Sequence, residues 1–315
     1  MNILFTNVGR RTYLIKYALE IETTYKDINI FVSDASDLTA AFHVDKRVKT
    51  IITPFVSSNE DRYLASLLQE CKNHQIDLLI PLMDFELPIL SMHTDLFSKC
   101  GTKVIVSTSD IVEMCLEKDK TSTFCMDHSI PYPKIYHTKN AATQFPLIVK
   151  KRKGSGSVGL HIVNSHDELI HCFDEESDII QEYISGQEYG MDILNDLNGN
   201  FLHACVKKKL GMRAGETDKA ESFFSRKYEL WARRISAATR HIGNMDVDFI
   251  ETDDGEVFFI DFNPRFGGGY PFTHITGFNY LEAIVSLVKG DKVSFRDVMP
   301  YFCVGMKGID VFYVH

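Results

Sequence analysis

Apolar positions along this chain follow two different periods. In the first hundred residues, short apolar runs alternate with stretches of helical spacing. Asn2 to Thr6 predicts a strand, Thr12 to Thr23 a helix, and Ile28 to Ser33 a second strand. Leu64 to Asn73 then predicts a helix, Leu78 to Ile80 a strand closed by Pro81, and Val104 to Ser107 another strand. This β-α-β rhythm implies a parallel sheet with helices on its faces. From Ser109 to about His128 one helix is expected. Ser109 and Asp110 suit its start, and Ile111, Val112, Cys115 and Leu116 give it an apolar side. Beyond Pro131 and Pro133 the pattern turns to strands at Phe145 to Lys150, Leu160 to Val163, Ile179 to Ile184, Val247 to Ile250 and Val257 to Ile260. The last two flank Asp253-Asp254-Gly255-Glu256, a hairpin signal, so they are expected to pair antiparallel.

That hairpin concentrates the candidate chemistry. It carries Asp248 on one strand, with Asp261 and Asn263 on and after the other. Residues two apart share a face of a strand, so three oxygen ligands converge there. Such a set suits a hard cation like Mg²⁺, which takes its other ligands from water and phosphate. Arg265 has the same parity and adds a fixed cation before the run Gly267-Gly268-Gly269. Ligands of an open parallel sheet bind at the carboxyl ends of its strands. Arg10, Arg11, Asp34, Asp84 and Glu86 all follow strand ends. Arg10 and Arg11 suit a substrate carboxylate or phosphate, or are simply solvated. Asp84 and Glu86 suit a substrate ammonium; alternatively Asp84 caps the next helix and Glu86 favours its first turn. Gly9 stands alone between the first strand and helix, without a G-x-G-x-x-G fingerprint, which argues against a nicotinamide dinucleotide site.

Lys150 ends a strand, and Gly154-Ser155-Gly156-Ser157-Val158-Gly159 follows it. A glycine-rich hairpin can cover phosphates with its backbone N–H groups. It is not a Walker A loop, because the G-K-[ST] ending is missing. Ile179 to Ile184 delivers Gln181, Glu182, Tyr183 and Ile184, with Glu188 just beyond. Lys207-Lys208-Lys209, with Arg213 and Lys219 nearby, is the densest positive stretch. Arg213, flanked by glycines, is the functional candidate there, and the lysines read as a solvated strand edge.

Composition narrows the class. A chain of 315 residues suggests two or three subdomains. The formal charge of −9 argues against a nucleic-acid surface. No apolar run approaches a membrane span, and Met1 to Phe5 lacks a basic leader region, so neither a membrane anchor nor a signal peptide is expected. The seven cysteines are scattered, which reads as reduced thiols and a cytoplasmic location.

In order and spacing these pieces resemble the ATP-grasp superfamily, in particular the ATP-binding units of the carbamoyl phosphate synthetase large subunit and stand-alone carboxylate–amine ligases. The resemblance implies an α/β ATP-grasp fold behind a Rossmann-like pre-ATP-grasp domain. It divides the chain into residues 1–108, a small lid subdomain with its linking helix at 109–185, and a C-terminal subdomain at 186–315. It implies that Lys120 and Lys150 hold the phosphates of ATP and that Gly154, Ser155, Gly156 and Ser157 cover them. Gln181, Glu182, Tyr183 and Ile184 correspond to the adenine hinge and Glu188 to the ribose carboxylate. Asp248, Asp261 and Asn263 fall on the Mg²⁺ ligands, with Mn²⁺ as a substitute. Arg265 and Arg213 fall on the catalytic cations. The implied reaction activates a small carboxylate as an acyl-phosphate and joins it to an amine, releasing ADP and phosphate. A kinase on the same fold, or a module that holds ATP without turnover, are the alternatives. The implied partners are a small carboxylate and an amine, with a homodimer as one assembly. Two departures stand out: both metal acids are Asp where relatives commonly have longer side chains, and Asp246 stands where some relatives have arginine.

Overall fold

Short β-branched and aromatic runs bury themselves by pairing, and in this computed structural model they do so in three successive sheets. The structure describes residues 1–153, 159–295 and 302–313. The first sheet is parallel, in the order β3-β2-β1-β4-β5, from β1 (Asn2–Thr6), β2 (Asn29–Asp34), β3 (Lys49–Ile52), β4 (Leu78–Pro81) and β5 (Lys103–Val104). Alternate residues go to opposite faces. Ile3, Phe5, Ile30 and Ile80 pack with Leu14 and Ile15 of the helix Thr12–Glu20. Leu4, Phe31 and Leu79 pack with Tyr63 and Leu67 of the helix Glu60–Asn73. β3 was not expected, because Ile51 is its single buried residue and gives no periodic signal. The expected strand at 104–107 shortens to the two residues of β5.

A helix from near the other end of the chain completes this domain. Tyr280, Leu281, Ile284 and Val285 of the helix Tyr280–Lys289 join the same core as Ile3, Leu14 and Ile15. The N-terminal sheet and the C-terminal third of the chain therefore share one apolar interior.

The single helix expected over 109–128 is two helices, Ser109–Leu116 and Lys118–Asp127. Glu117 between them is extended, with φ −108° and ψ 111°, and bridges to Lys153. The Lys118 N–H donates to the carbonyl of Arg152 at 3.2 Å. A tertiary strand-like contact breaks the helix, and no Gly or Pro announces it. The second sheet is antiparallel, in the order β6-β9-β7-β8, from β6 (Ile135–Tyr136), β7 (Leu147–Lys151), β8 (His161–Val163) and β9 (Asp178–Glu182).

The third sheet, also antiparallel, runs β14-β13-β10-β11-β12-β15. Its strands are β10 (Gln187–Asn195), β11 (Phe201–Arg213), β12 (Glu216–Phe223), β13 (Gly243–Glu251), β14 (Val257–Asn263) and β15 (Cys303–Met306). One face is apolar: Met191, Ile193, Val206, Val247 and Phe249 pack with Tyr228, Ala232 and Ile235 of the helix Arg226–Thr239. The other face is charged, and its acids and lysines meet across the strands. A bulge falls in the β13–β14 ladder, where Asp248 pairs with Asp261 but Phe249 pairs with Phe259. Ile260 is the extra residue. The bulge lets Phe259 and Phe262 both enter the core while Ile260 and Asp261 both face the adjoining cleft.

Candidate active site

A cleft of about 250 Å³ opens between the second and third sheets. Its apolar walls are Ile148 and Leu160 from one side and Ile184, Ile250 and Ile260 from the other. Gln181, Glu182, Lys118, Lys150, Lys151, Lys153 and Asp261 also line it, and Lys118 and Lys150 act electrostatically on the same acid, Asp261. An apolar slot beside a cluster of ammonium groups can take a flat ring at one end and an anion at the other.

Lys118 is the lysine that the broken helix delivers. Its side chain is buried, with Nζ 3.4 Å from Asp261 Oδ1. Lys150 reaches the same cleft from β7, and among the described residues it has no ion-pair or hydrogen-bond partner. Burial pushes its ammonium down to about 8; Asp261 pulls it back up and Lys118 pushes it further down. Lys120, expected here, lies elsewhere. It is half-exposed, pairs with Glu113 and Glu117, and lines a separate surface hollow. The two lysines lie on the same helix, Lys118–Asp127, and two positions along a 3.6-residue period they point to opposite sides.

Of the hinge candidates, Gln181 and Glu182 end β9, an interior strand of the second sheet, and Tyr183 and Ile184 follow it. Gln181 is buried and donates to the Pro133 carbonyl at 3.4 Å, while the Glu182 carboxylate accepts from the Lys134 N–H at 3.2 Å. Ile184 lines the cleft, and Tyr183 is half-buried without lining it. Glu188, the second residue of β10, pairs with Lys209 at 2.6 Å. Gly154, Ser155, Gly156 and Ser157 lie outside the described residues.

Lys207 and Lys209 are not a solvated edge. They are 1% and 9% exposed, because their positions on β11 face the charged side of a central strand. Lys207 Nζ binds Asp192 at 2.6 Å and lies 3.5 Å from Asp246. Lys209 binds Glu188 and, at 2.8 Å, Asp248. Burial opposes the charge of both lysines, but their carboxylate partners raise both above the usual range. Burial also raises Asp248, to about 6, against the pull of Lys209.

Asp248 and Asp261 are Cα partners across the ladder, and Asn263 pairs with Asp246. Among the described residues no three His, Cys, Asp or Glu side chains cluster as a metal site. The donor set still fits a hard dication: two carboxylates and an amide, the amide oriented by Nδ2 donating to the Asp246 carbonyl at 3.3 Å. In this arrangement Lys209 and Lys118 neutralise the two acids.

Past β14 the chain turns through Pro264–Gly269. Arg265 Nη2 binds Asp84 at 2.9 Å and Nη1 approaches Asp246 at 3.3 Å. Asp84 lies in the first turn of the short helix after β4, whose N-cap position is Met83, and its carboxylate reaches across to Arg265 beside the third sheet. Glu86 is fully buried and cannot meet a substrate. It accepts from Thr6, Asn7, Tyr63 and the N–H groups of Leu82 and Met83. Arg11 is buried and donates to the Phe266 carbonyl at 2.5 Å, whereas Arg10 is exposed. Arg213 is exposed at the β11–β12 turn and pairs with Asp218 at 3.0 Å. Sequence reading missed Lys118, Asp246 and the Lys207–Asp192 pair. None of them had a local signal, since the break that places Lys118 comes from tertiary contacts with Arg152 and Lys153.

Residues 115–269 match the model of an ATP-grasp domain, and residues 3–105 match that of a PylC-like N-terminal domain. The chain thus carries an ATP-grasp domain preceded by a PylC-like N-terminal domain. A carbamoyl-phosphate synthase of Methanobrevibacter smithii is 21% identical over 253 residues, covering 72% of this chain and 67% of that protein. The biotin carboxylase domain of the Hydrogenobacter thermophilus 2-oxoglutarate carboxylase, solved with MgADP and bicarbonate, superposes with a TM-score of 0.74 at 15% identity, covering 95% and 72%. An L-amino acid ligase from Bacillus licheniformis superposes at 0.69 and 17% identity, covering 95% and 77%. The chain spans between 22% and 67% of the length of curated relatives that it matches. Among the described residues, no helix is long and apolar enough to cross a membrane.

Proposed function

We propose that the chain is an ADP-forming ligase that activates a small carboxylate with ATP and joins it to an amine. The observation that carries this reading is the convergence of Lys118 and Lys150 with Asp261 at one end of an apolar cleft. Phosphoryl transfer needs charge neutralisation and alignment more than covalent participation. The slot between Ile148, Ile184, Ile250 and Ile260 receives the adenine, and Lys118 and Lys150 hold the phosphates. Asp248, Asp261 and Asn263 would hold Mg²⁺, which when bound neutralises the phosphate oxygens. Nucleotide phosphates entering beside Lys118 draw it off Asp261 and free that carboxylate.

The carboxylate oxygen of the acid attacks the γ-phosphorus and ADP leaves. The amine nitrogen then attacks the acyl carbon, phosphate leaves, and the nitrogen loses a proton. Arg265 faces the anion that forms in both steps. The relatives' names support this class: an L-amino acid ligase, a carbamoyl-phosphate synthase and a D-alanine–D-alanine ligase are among them.

The test is a screen of small carboxylates crossed with ammonia and amino acids, measuring ADP and free phosphate with MgATP. Free phosphate that requires both an acid and an amine is the expected result. ADP with a stable phosphorylated product would make the chain a kinase. MgATP binding with no ADP under any pair would reduce it to a binding module.

A further inference from the structure

The Arg265 side chain is 8% exposed and is gripped from two domains. Asp246 belongs to its own sheet, on β13. Asp84 comes from the N-terminal parallel sheet, in the turn after β4. That turn is rigid for a visible reason: the buried Glu86 ties together the Leu82 and Met83 N–H groups, the Thr6 hydroxyl, the Asn7 amide and the Tyr63 hydroxyl. Arg11, in the loop after β1, fixes the next residue of the Arg265 turn through the Phe266 carbonyl. Gly267 allows the close approach: a Cβ there would lie 1.9 Å from Asp246 Oδ2. Both Nη atoms of Arg265 are thus engaged, while its Nε is buried and has no hydrogen-bond partner among the described residues. A buried N–H donor left open is costly unless something arrives to accept from it.

We infer that Asp84 is a positioning residue supplied by the N-terminal domain: with Asp246 it fixes the Arg265 guanidinium so that Nε–H remains the donor for an incoming anion. This rests on the ligase reading, in which that anion is the transferring phosphoryl group or the acyl-phosphate. A long side chain held in one rotamer before reaction loses no further freedom when charge develops. The N-terminal domain then acts on turnover and not on nucleotide affinity, since Lys118, Lys150 and the apolar slot all lie outside it.

Asp84→Asn and Asp84→Glu test this, using the acid–amine pair that gives most ADP in the screen above. Asp84→Asn is expected to lower kcat about ten- to a hundredfold, a typical cost of misplacing a catalytic group. The MgATP Kd should stay at its wild-type value, the unfolding midpoint should fall because Arg265 keeps only Asp246 as a charged partner, and Asp84→Glu should retain more activity than Asp84→Asn at temperatures well below either midpoint. A second measurement needs no turnover. In arginine-¹⁵N-labelled protein, Arg265 (identified with Arg265→Lys) should show slow guanidinium rotation that Asp84→Asn speeds up. An unchanged kcat, or a kcat that falls only near the lowered unfolding midpoint and not well below it, overturns the inference. If no pair yields ADP, the ligase reading fails by itself, and unchanged Arg265 rotation in Asp84→Asn overturns the positioning claim separately.

Discussion

Two lysines one short step apart in sequence have different fates. Lys118 is buried against Asp261 in the cleft, and Lys120 is half-exposed among surface acids. Lys118→Ala is expected to weaken MgATP binding by about 1.5–3 kcal/mol, the worth of a charge-assisted hydrogen bond. Lys120→Ala should leave it unchanged, and calorimetry on the two variants separates them. Lys150 adds a pH signature. Burial holds its ammonium down at about 8, with Asp261 raising and Lys118 lowering it. Below that pH the ammonium is already charged, and affinity for phosphate is flat. Above it, binding must take up a proton, so Kd should rise by about tenfold per pH unit until the bound-state value is passed. Proton uptake measured in buffers of different ionisation enthalpy checks the sign. A flat profile between pH 7 and 10 would mean that Lys150 does not meet the phosphates.

At the level of elements, irregularities place the chemistry. The break at Glu117 aims Lys118, and the bulge at Ile260 turns two consecutive residues toward the cleft. Gly267 and Gly268 pack against charged side chains closer than a Cβ tolerates. At Gly268 an added Cβ would sit 2.8 Å from Glu216, and at Gly267 it would overlap Asp246. Gly267→Ala should therefore destabilise the protein by about 1–3 kcal/mol, the usual cost of overpacking. It should also depress turnover more than MgATP affinity, because it pushes Asp246 away from Arg265. Urea unfolding and steady-state kinetics on the same preparation measure both.

On the scale of the whole molecule, the shared core between the N-terminal sheet and the helix Tyr280–Lys289 makes two ends of the chain one unit. Ile284 is fully buried in it. Ile284→Ala should cost about 2–5 kcal/mol. The loss should appear as one cooperative transition shifted to lower urea by fluorescence and circular dichroism alike. Two separated transitions would mean that the sheets fold independently in spite of this packing.

The period of apolar residues was enough to place most strands of the first and second sheets and, in the third, the two strands of the Val247–Asn263 hairpin with their acids. Local alternation encodes which residues a strand can bury, so Asp248, Asp261 and the nearby turn were legible from spacing alone. Partner choice was not legible. The lysines of β11 read as an exposed edge, yet the strand lies inside the sheet with β10 and β12 on either side. Glu86 was read either as a substrate contact or as a first-turn acid; it is in that first turn, and five donors from separate parts of the N-terminal domain hold it buried. Asp84 reaches Arg265 across 181 positions of sequence. A side chain's period fixes its face, but its burial, charge state and partner depend on which distant segment covers that face. Only the assembled sheets decide that.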